Sequence, residues 1–386
     1  MSEARIDSLS NENNTGGPTL SGITTFSGTN YFVPPVGNTE QRPENPQKGA
    51  LRFNTDTKHL EYFRGNTIGW VDIEASHGQL GGGTGSNTGT GARMNFMGGT
   101  DGSSVLSLIE YITISTTGNA QDFGNLLSTE MEGASCSSST RGFYFGGDPA
   151  DNDIEYVTFS SLGGATDFGN CNNNSKSGSG CSDQTRGILQ LGASWSDEIN
   201  YITMASTGDA KDFGNLTAGA YAGGASSSST RGIIALGSVG GNNKNTIDYI
   251  TIATTGNAAD FGDITRSGVH CVAYSNATRG VFHSGYQYPA SPNFMNVIDF
   301  VTIATKGNAT DFGDSLLGGY GCGGASPTRG VAGGGYSANA PTGGTAGFTS
   351  IIDYTQIMST GNAKDFGDLS AAKRHVKGDS NAHGGL

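Results

Sequence analysis

Beyond residue 92 the hydrophobic and polar positions fall into short bursts separated by glycine, serine and threonine. One kind of burst reads with period two, as in IEYVTF (Ile154–Phe159) and IDYITI (Ile247–Ile252), the pattern of a half-buried strand. A second follows an arginine, as in RGFYFGG (Arg141–Gly147) and RGIIALG (Arg231–Gly237). A third begins at DFGN, and a weaker fourth precedes the SSST that leads to the next arginine. These four bursts predict four short strands, a to d in chain order from each arginine.

The bursts recur in register. The phenylalanine of DFG stands at Phe123, Phe168, Phe213, Phe261, Phe312 and Phe366, and an aromatic of the IDY phrase stands 12 residues before each. The next arginine follows each phenylalanine by 17 or 18 residues, whereas the step from arginine to aromatic varies from 15 to 25. Nearly all insertion is therefore confined to the a–b connection. Four antiparallel strands in a unit of ~40–50 residues are the signature of a propeller blade. Six units predict an all-β, six-bladed β-propeller of four-stranded antiparallel blades, with a β-solenoid as the structural rival. Strands that alternate direction send the a–b and c–d connections to one face and the b–c and d–a turns to the other. The ring is thus expected to have one variable and one uniform face, with recognition on the variable one. A last strand d is expected at about 372–380; pairing beside Arg93–Gly98 is one way for it to close the ring, a phase the sequence leaves open.

STTGNAQDFGN (Ser115–Asn125) resembles a phosphate loop when seen once, but it returns in all six copies, which makes it a building element. Its aspartates (Asp122, Asp167, Asp212, Asp260, Asp311, Asp365) open strand c. The arginines (Arg141, Arg186, Arg231, Arg279, Arg329, with Arg93 in the first copy) open strand a. The two strands flank b, about 10 Å apart at ~4.8 Å spacing, so Arg–Asp pairing within or between neighbouring blades is expected as a repeated orienting bond. The copies with a second acid (Asp260/Asp263, Asp311/Asp314, Asp365/Asp368) leave a cation site open as the alternative; no metal or cofactor is otherwise expected.

The first part of the chain follows other rules. Residues 1–75 read as an extended, proline-containing arm followed by a small β-meander, ALRFNTDTKHLEYF and RGNTIGWVDI. About 25 residues of meander are too few to stand alone, so the module is expected to attach and oligomerise, as a homotrimer. Residues 76–91 form a glycine-rich linker, and residues 92–386 carry the six repeats.

Composition narrows the partners. Glycine is 64 of 386 residues, charged residues are 14%, and Lys+Arg 21 against Asp+Glu 34 gives −13. Such an acidic surface repels a phosphate backbone, so nucleic-acid binding is not expected. No apolar signal region opens the chain, and no run nears ~18 apolar residues, which predicts synthesis in a cytoplasm and no membrane insertion. Five cysteines without CxxC spacing read as free, semi-buried thiols of a reducing compartment.

With VPPVGNTEQRPENPQKGALRFNTDTKHLEYFRG and GWVDI, the N-terminal part resembles virion structural proteins of marine bacteriophages, especially cyanophages. The DYITIATTGNAxDFGD and SSSTRGV units are similar to the kelch-like repeats of their tail-fibre-type proteins. No repeat tryptophan follows the tyrosine, so kelch contact residues do not carry over. The resemblance implies a virion appendage whose N-terminal part docks to other virion proteins and whose propeller projects outward.

Two further classes compete with it. A propeller glycosidase needs clustered carboxylates, whereas the six histidines here recur at no repeat position and no sialidase-type box is present. The expectation is a non-enzymatic protein. The irregular aromatics of the variable loops, Trp195, Tyr286, Tyr288, Phe294, Tyr336 and Phe348, are the candidate receptor contacts, exposed to a host-surface glycan or protein. A passive capsid or tail decoration is the other reading.

Overall fold

The computed structural model describes residues 34–57, 59–73, 92–235, 237–287, 294–337 and 347–386. These residues form strands, turns and two short 3-10 segments, with no α-helix among them. The protein is all-β and built largely of four-stranded antiparallel sheets. It divides into two compact units, Met1–His77 and Gly78–Leu386. The N-terminal half of the expected arm and the expected linker at 76–91 lie outside the described residues, as does Tyr288.

In the first unit, Leu51–Asn54, His59–Phe63 and Trp70–Ile73 form the expected antiparallel meander, and Val36–Gly37 joins its edge in parallel. Its centre is ionic. Glu61 is fully buried and accepts from Arg42, from Arg52 at 3.1 Å and from Asn54 at 3.2 Å. The hydrogen bond from Arg42 holds its carboxyl below the usual carboxylate range. Phe63 is the buried hydrophobic among the described residues of this unit, while Val36 and Ile68 stay 57% and 56% exposed.

In the second unit five four-stranded sheets run d–a–b–c, with strand d supplied by the preceding repeat. The second sheet, for example, orders Ala134–Ser137, Arg141–Phe145, Asp151–Thr158 and Thr166–Ser175. The first sheet has three strands, Arg93–Met97, Leu108–Thr113 and Gln121–Asn125. The C-terminal segment fills its fourth place: Met94 bridges Ser380 and Met97 bridges Lys377. In place of a regular strand d, this segment lies beside the first strand a and joins it by isolated bridges. The apolar core is divided into six clusters, one between each pair of consecutive sheets, including the last and the first.

Three cycles of repeated bonds tie the sheets together. First, every b–c turn lies on the strand c of the preceding sheet. Gly163 and Ala165 donate to Phe123 and Asn125, and so on round to Gly118 and Ala120, which donate to Phe366 and Asp368, all at 2.7–2.9 Å. This explains the glycine of DFG: a Cβ on Gly124 would sit 2.2 Å from the Gly163 carbonyl oxygen, and a β-bulge between Ile109 and Glu110 already turns the strand there. Second, the buried polar residue before each IDY aromatic accepts a backbone N–H from the preceding repeat. The residues are Glu110, Glu155, Asn200, Asp248, Asp299 and Asp353, at 2.8–3.0 Å.

The third cycle corrects the expected Arg–Asp pairing. Each arginine donates instead to a backbone carbonyl of the following sheet: Arg93 to Phe159, Arg141 to Met204, Arg186 to Ile252, Arg231 to Ile303, Arg279 to Ile357 and Arg329 to Ile114, at 2.6–2.9 Å. Its guanidinium lies 4.4–4.7 Å over the aromatic of its own sheet. That aromatic in turn meets the DFG phenylalanine edge-on. Among the described residues no ion pair joins these arginines to Asp122, Asp167, Asp212, Asp260, Asp311 or Asp365, all of which are exposed. A half-buried guanidinium gains more from a desolvated carbonyl and a ring face than from a carboxylate in water.

Along strands d a belt of serines links sheet to sheet. Ser182, Ser227 and Ser275 donate to the carbonyls of Ser137, Ser182 and Ser227, and Ser137 and Ser380 donate to Ser380 and Ala325, at 2.6–2.8 Å. Ala325 has no hydroxyl and interrupts the belt. Ser227→Ala is expected to destabilise the unit by about 1–2 kcal/mol, read as a lower denaturation midpoint with unchanged m-value.

All five cysteines are buried, and burial pushes the Cys181 and Cys271 thiols up to about 12. Burial also lowers His283 to about 3; its Nε2 meets the Tyr274 hydroxyl at 3.2 Å. The unfolded chain protonates this histidine near ~6.5. The folded state therefore holds its full advantage above that pH and loses it as pH falls toward 3. His283→Phe is expected to remove about 2 kcal/mol of the stability loss between pH 7 and pH 5, checked by denaturant melts at both pH values.

Candidate functional site

Nine residues after the DFG phenylalanine, eight in the fifth copy, the backbone turns left-handed at a residue that is not glycine. The six are Glu132 (φ 60), Ser177 (φ 52), Ala222 (φ 56), His270 (φ 53), Tyr320 (φ 67) and His375 (φ 55). Left-handed geometry costs an L-residue roughly 1–2 kcal/mol, so the tertiary structure imposes it. Each N–H donates to the carbonyl of the preceding member: Ser177 to Glu132, Ala222 to Ser177, His270 to Ala222, Tyr320 to His270, His375 to Tyr320, and Glu132 back to His375. The result is a closed ring of six backbone hydrogen bonds.

Because the backbone carries this ring, its side chains are free to differ. His270 and His375 occupy equivalent positions, which corrects the expectation that the histidines share none. The signal is the equal nine-residue distance of His270 and His375 from their DFG phenylalanines, but it marks a conformation and not a residue type.

The side chains converge. Tyr320 stacks on His270 at 3.9 Å between ring centres and meets His375 edge-on at 4.9 Å. His375 Nε2 lies 3.2 Å from Glu132 Oε1. Glu132 Oε2 accepts from the Ser177 hydroxyl at 2.8 Å and the Tyr221 hydroxyl at 3.4 Å, and Lys176 Nζ lies 4.0 Å away. Lys176 also pairs with Asp148 at 3.0 Å. Burial lowers His375 to about 2 and takes His270 well below its ordinary value, so both are neutral rings, His375 lying beside the Glu132 carboxylate. Burial opposes the charge on Lys176, but Asp148 and Glu132 outweigh it and raise its pKa. The site is thus a carboxylate and an ammonium in fixed positions, ringed by aromatic and hydroxyl groups.

The described candidate aromatics divide by burial. Trp195 is 49% exposed and lies 6.2 Å from Tyr221, centre to centre. Its loop is seated on the neighbouring c–d segment: Ala220 donates to the Ser196 carbonyl, and a Cβ on Gly219 would sit 2.0 Å from the Trp195 carbonyl oxygen. Phe294 and Tyr336 are each 5% exposed and stack on one another at 4.2 Å. Tyr286 and Phe348 are partly buried at the edge of that pair. The exposure expected of these four is corrected: the rings pack on one another and on Tyr320 of the neighbouring c–d segment, with the Arg374 guanidinium over Tyr336 and Phe348.

No protein-family model matches the chain, and no curated protein matches it.

Among the described residues no group of three or more His, Cys, Asp or Glu side chains is placed to hold a metal. The arrangement can accept and donate hydrogen bonds from fixed points while offering an exposed indole. That chemistry suits binding of a polar ligand with an apolar face.

Proposed function

We propose that the six repeats form a six-bladed β-propeller in a non-enzymatic virion protein, a fibre or appendage of the particle. The N-terminal unit docks to other virion structural proteins, and the propeller projects outward to bind a host-surface glycan or protein. The observation that carries this reading is the repeated bonding, in which the last sheet is joined to the first as every other sheet is joined to its neighbour. A scaffold so uniform on one side, with its insertions gathered on the other, suits recognition by exchangeable loops. The resemblance of the N-terminal phrases to cyanophage structural proteins supports the virion setting.

The exposed Val36, Leu51 and Ile68 support self-association of the N-terminal unit, as a homotrimer, since its ionic centre buries little apolar surface. Labelling of intact particles and electron microscopy test the assignment: density for six sectors at the end of an appendage is expected. Five or seven sectors overturn the propeller. A position flush with the capsid or tail surface, with no binding of the purified protein to host cells, replaces attachment by passive decoration.

A further inference from the structure

We propose that the left-handed ring and the loop beside it form a binding site for a neutral pyranose sugar, built from Trp195, Tyr221, Glu132, Lys176 and Asp148. This rests on the attachment reading and names the ligand class of that face. Three independent features converge on these residues.

The first is exposure. Trp195 keeps 49% of its surface in water although backbone bonds from Trp195 to Gly192 and from Ser196 to Ala193 tie its loop into a tight turn, with Ser194 and Trp195 both left-handed at φ 54 and φ 56. Residues held in such conformations cluster at ligand sites, and an indole face in water is available for the C–H face of a sugar ring. The second is polar geometry. Next to the indole, the Tyr221 hydroxyl reaches Glu132 and Lys176 bridges toward Asp148. These are acceptors and donors grouped near one exposed aromatic, which can divide the hydroxyls of a pyranose between them.

The third is charge. At the ring itself Glu132 and Asp148 face Lys176, Arg374 and Lys377, so the negative field is that of the whole chain, at −13. Uronates, sialic acids and sulfated sugars are therefore disfavoured relative to neutral hexoses. The site is not repeated: the positions equivalent to Glu132 hold Ser177, Ala222, His270, Tyr320 and His375, so the protein carries one such site per chain.

The test uses the full-length protein on a glycan array, followed by calorimetry with the neutral oligosaccharides that bind. Trp195→Ala and Glu132→Gln are each expected to weaken binding about tenfold or more, and Leu162→Ala, an exposed side chain on a b–c turn, to leave it unchanged. Matching thermal melts for Trp195→Ala and the parent exclude unfolding as the cause; Lys176→Met gives a second reading should Glu132→Gln disturb the ring. Absence of any neutral-glycan ligand, ligands confined to acidic sugars, or unchanged affinity in Trp195→Ala overturns the site. Host-cell adsorption measured with the same proteins separates the two claims. Adsorption unaffected by Trp195→Ala sinks the sugar site and leaves attachment standing, whereas glycan binding without adsorption sinks attachment alone.

Discussion

Replacing Lys373 by methionine is expected to destabilise the repeat unit by about 3–5 kcal/mol, a large share of the 5–15 kcal/mol typical of a folded domain. Lys373 Nζ is hydrogen-bonded to Glu110 Oε2, and both side chains are 1% exposed. Glu110 Oε1 accepts the Ser370 N–H at 2.8 Å. The pair joins the C-terminal segment to the strand b of the first sheet, 263 residues away. Without the ammonium, Glu110 is left as a buried charge with one backbone partner, which costs far more than the pair itself contributes. The double change Lys373→Met with Glu110→Gln should therefore recover most of the loss. The third repeat already uses a neutral amide, Asn200, at this position. Urea denaturation of the parent, both single variants and the double variant measures the coupling; additive effects refute it.

Removing residues 372–386 is expected to abolish cooperative unfolding of the second unit. The segment supplies the missing fourth strand of the first sheet: Asn95 and Met97 donate to Asp379 and Lys377, Lys377 donates back to Met97, and Thr100 and Arg374 exchange bonds. It also covers Met94 and Phe96, both fully buried, through Val376. About five hydrogen bonds at ~1 kcal/mol each, with the burial of several large apolar side chains at ~1.5–3 kcal/mol each, reach or exceed the stability of an ordinary domain. A broad, low-temperature transition in calorimetry is the predicted result, sharpened again by adding the missing segment as a peptide. A truncated protein that melts sharply near the parent temperature would show that closure contributes little.

These expectations trace back unevenly to the chain. The fixed spacing of Tyr111 to Phe123 and the variable step from arginine to aromatic are enough to predict the strands, their number per repeat and the concentration of insertions in one connection; whether the last segment pairs with Arg93–Met97 is not settled by spacing. Periodicity reports such features because they depend on local hydrophobic pattern and on residue counts. The partners of Arg141 and its equivalents were read wrongly. Sequence distance suggested the aspartate, while packing put a carbonyl of the next sheet and a tyrosine face closer and drier. The burial of Glu110, Asp248 and Asp353 is not legible in the sequence, because an acid in an alternating strand looks solvent-facing until the neighbouring repeat covers it. The aromatics of the fifth and sixth loops likewise read as exposed because Tyr320 and Arg374, which cover them, lie in other segments of the chain.

The amino-acid order by itself determined the repeat, its strands and the side of the unit on which variation lies. The tertiary structure alone decided the ring of Glu132, Ser177, Ala222, His270, Tyr320 and His375. Its common property is a backbone conformation enforced by hydrogen bonds between residues some fifty positions apart, and such a property leaves no residue type in common for the sequence to display.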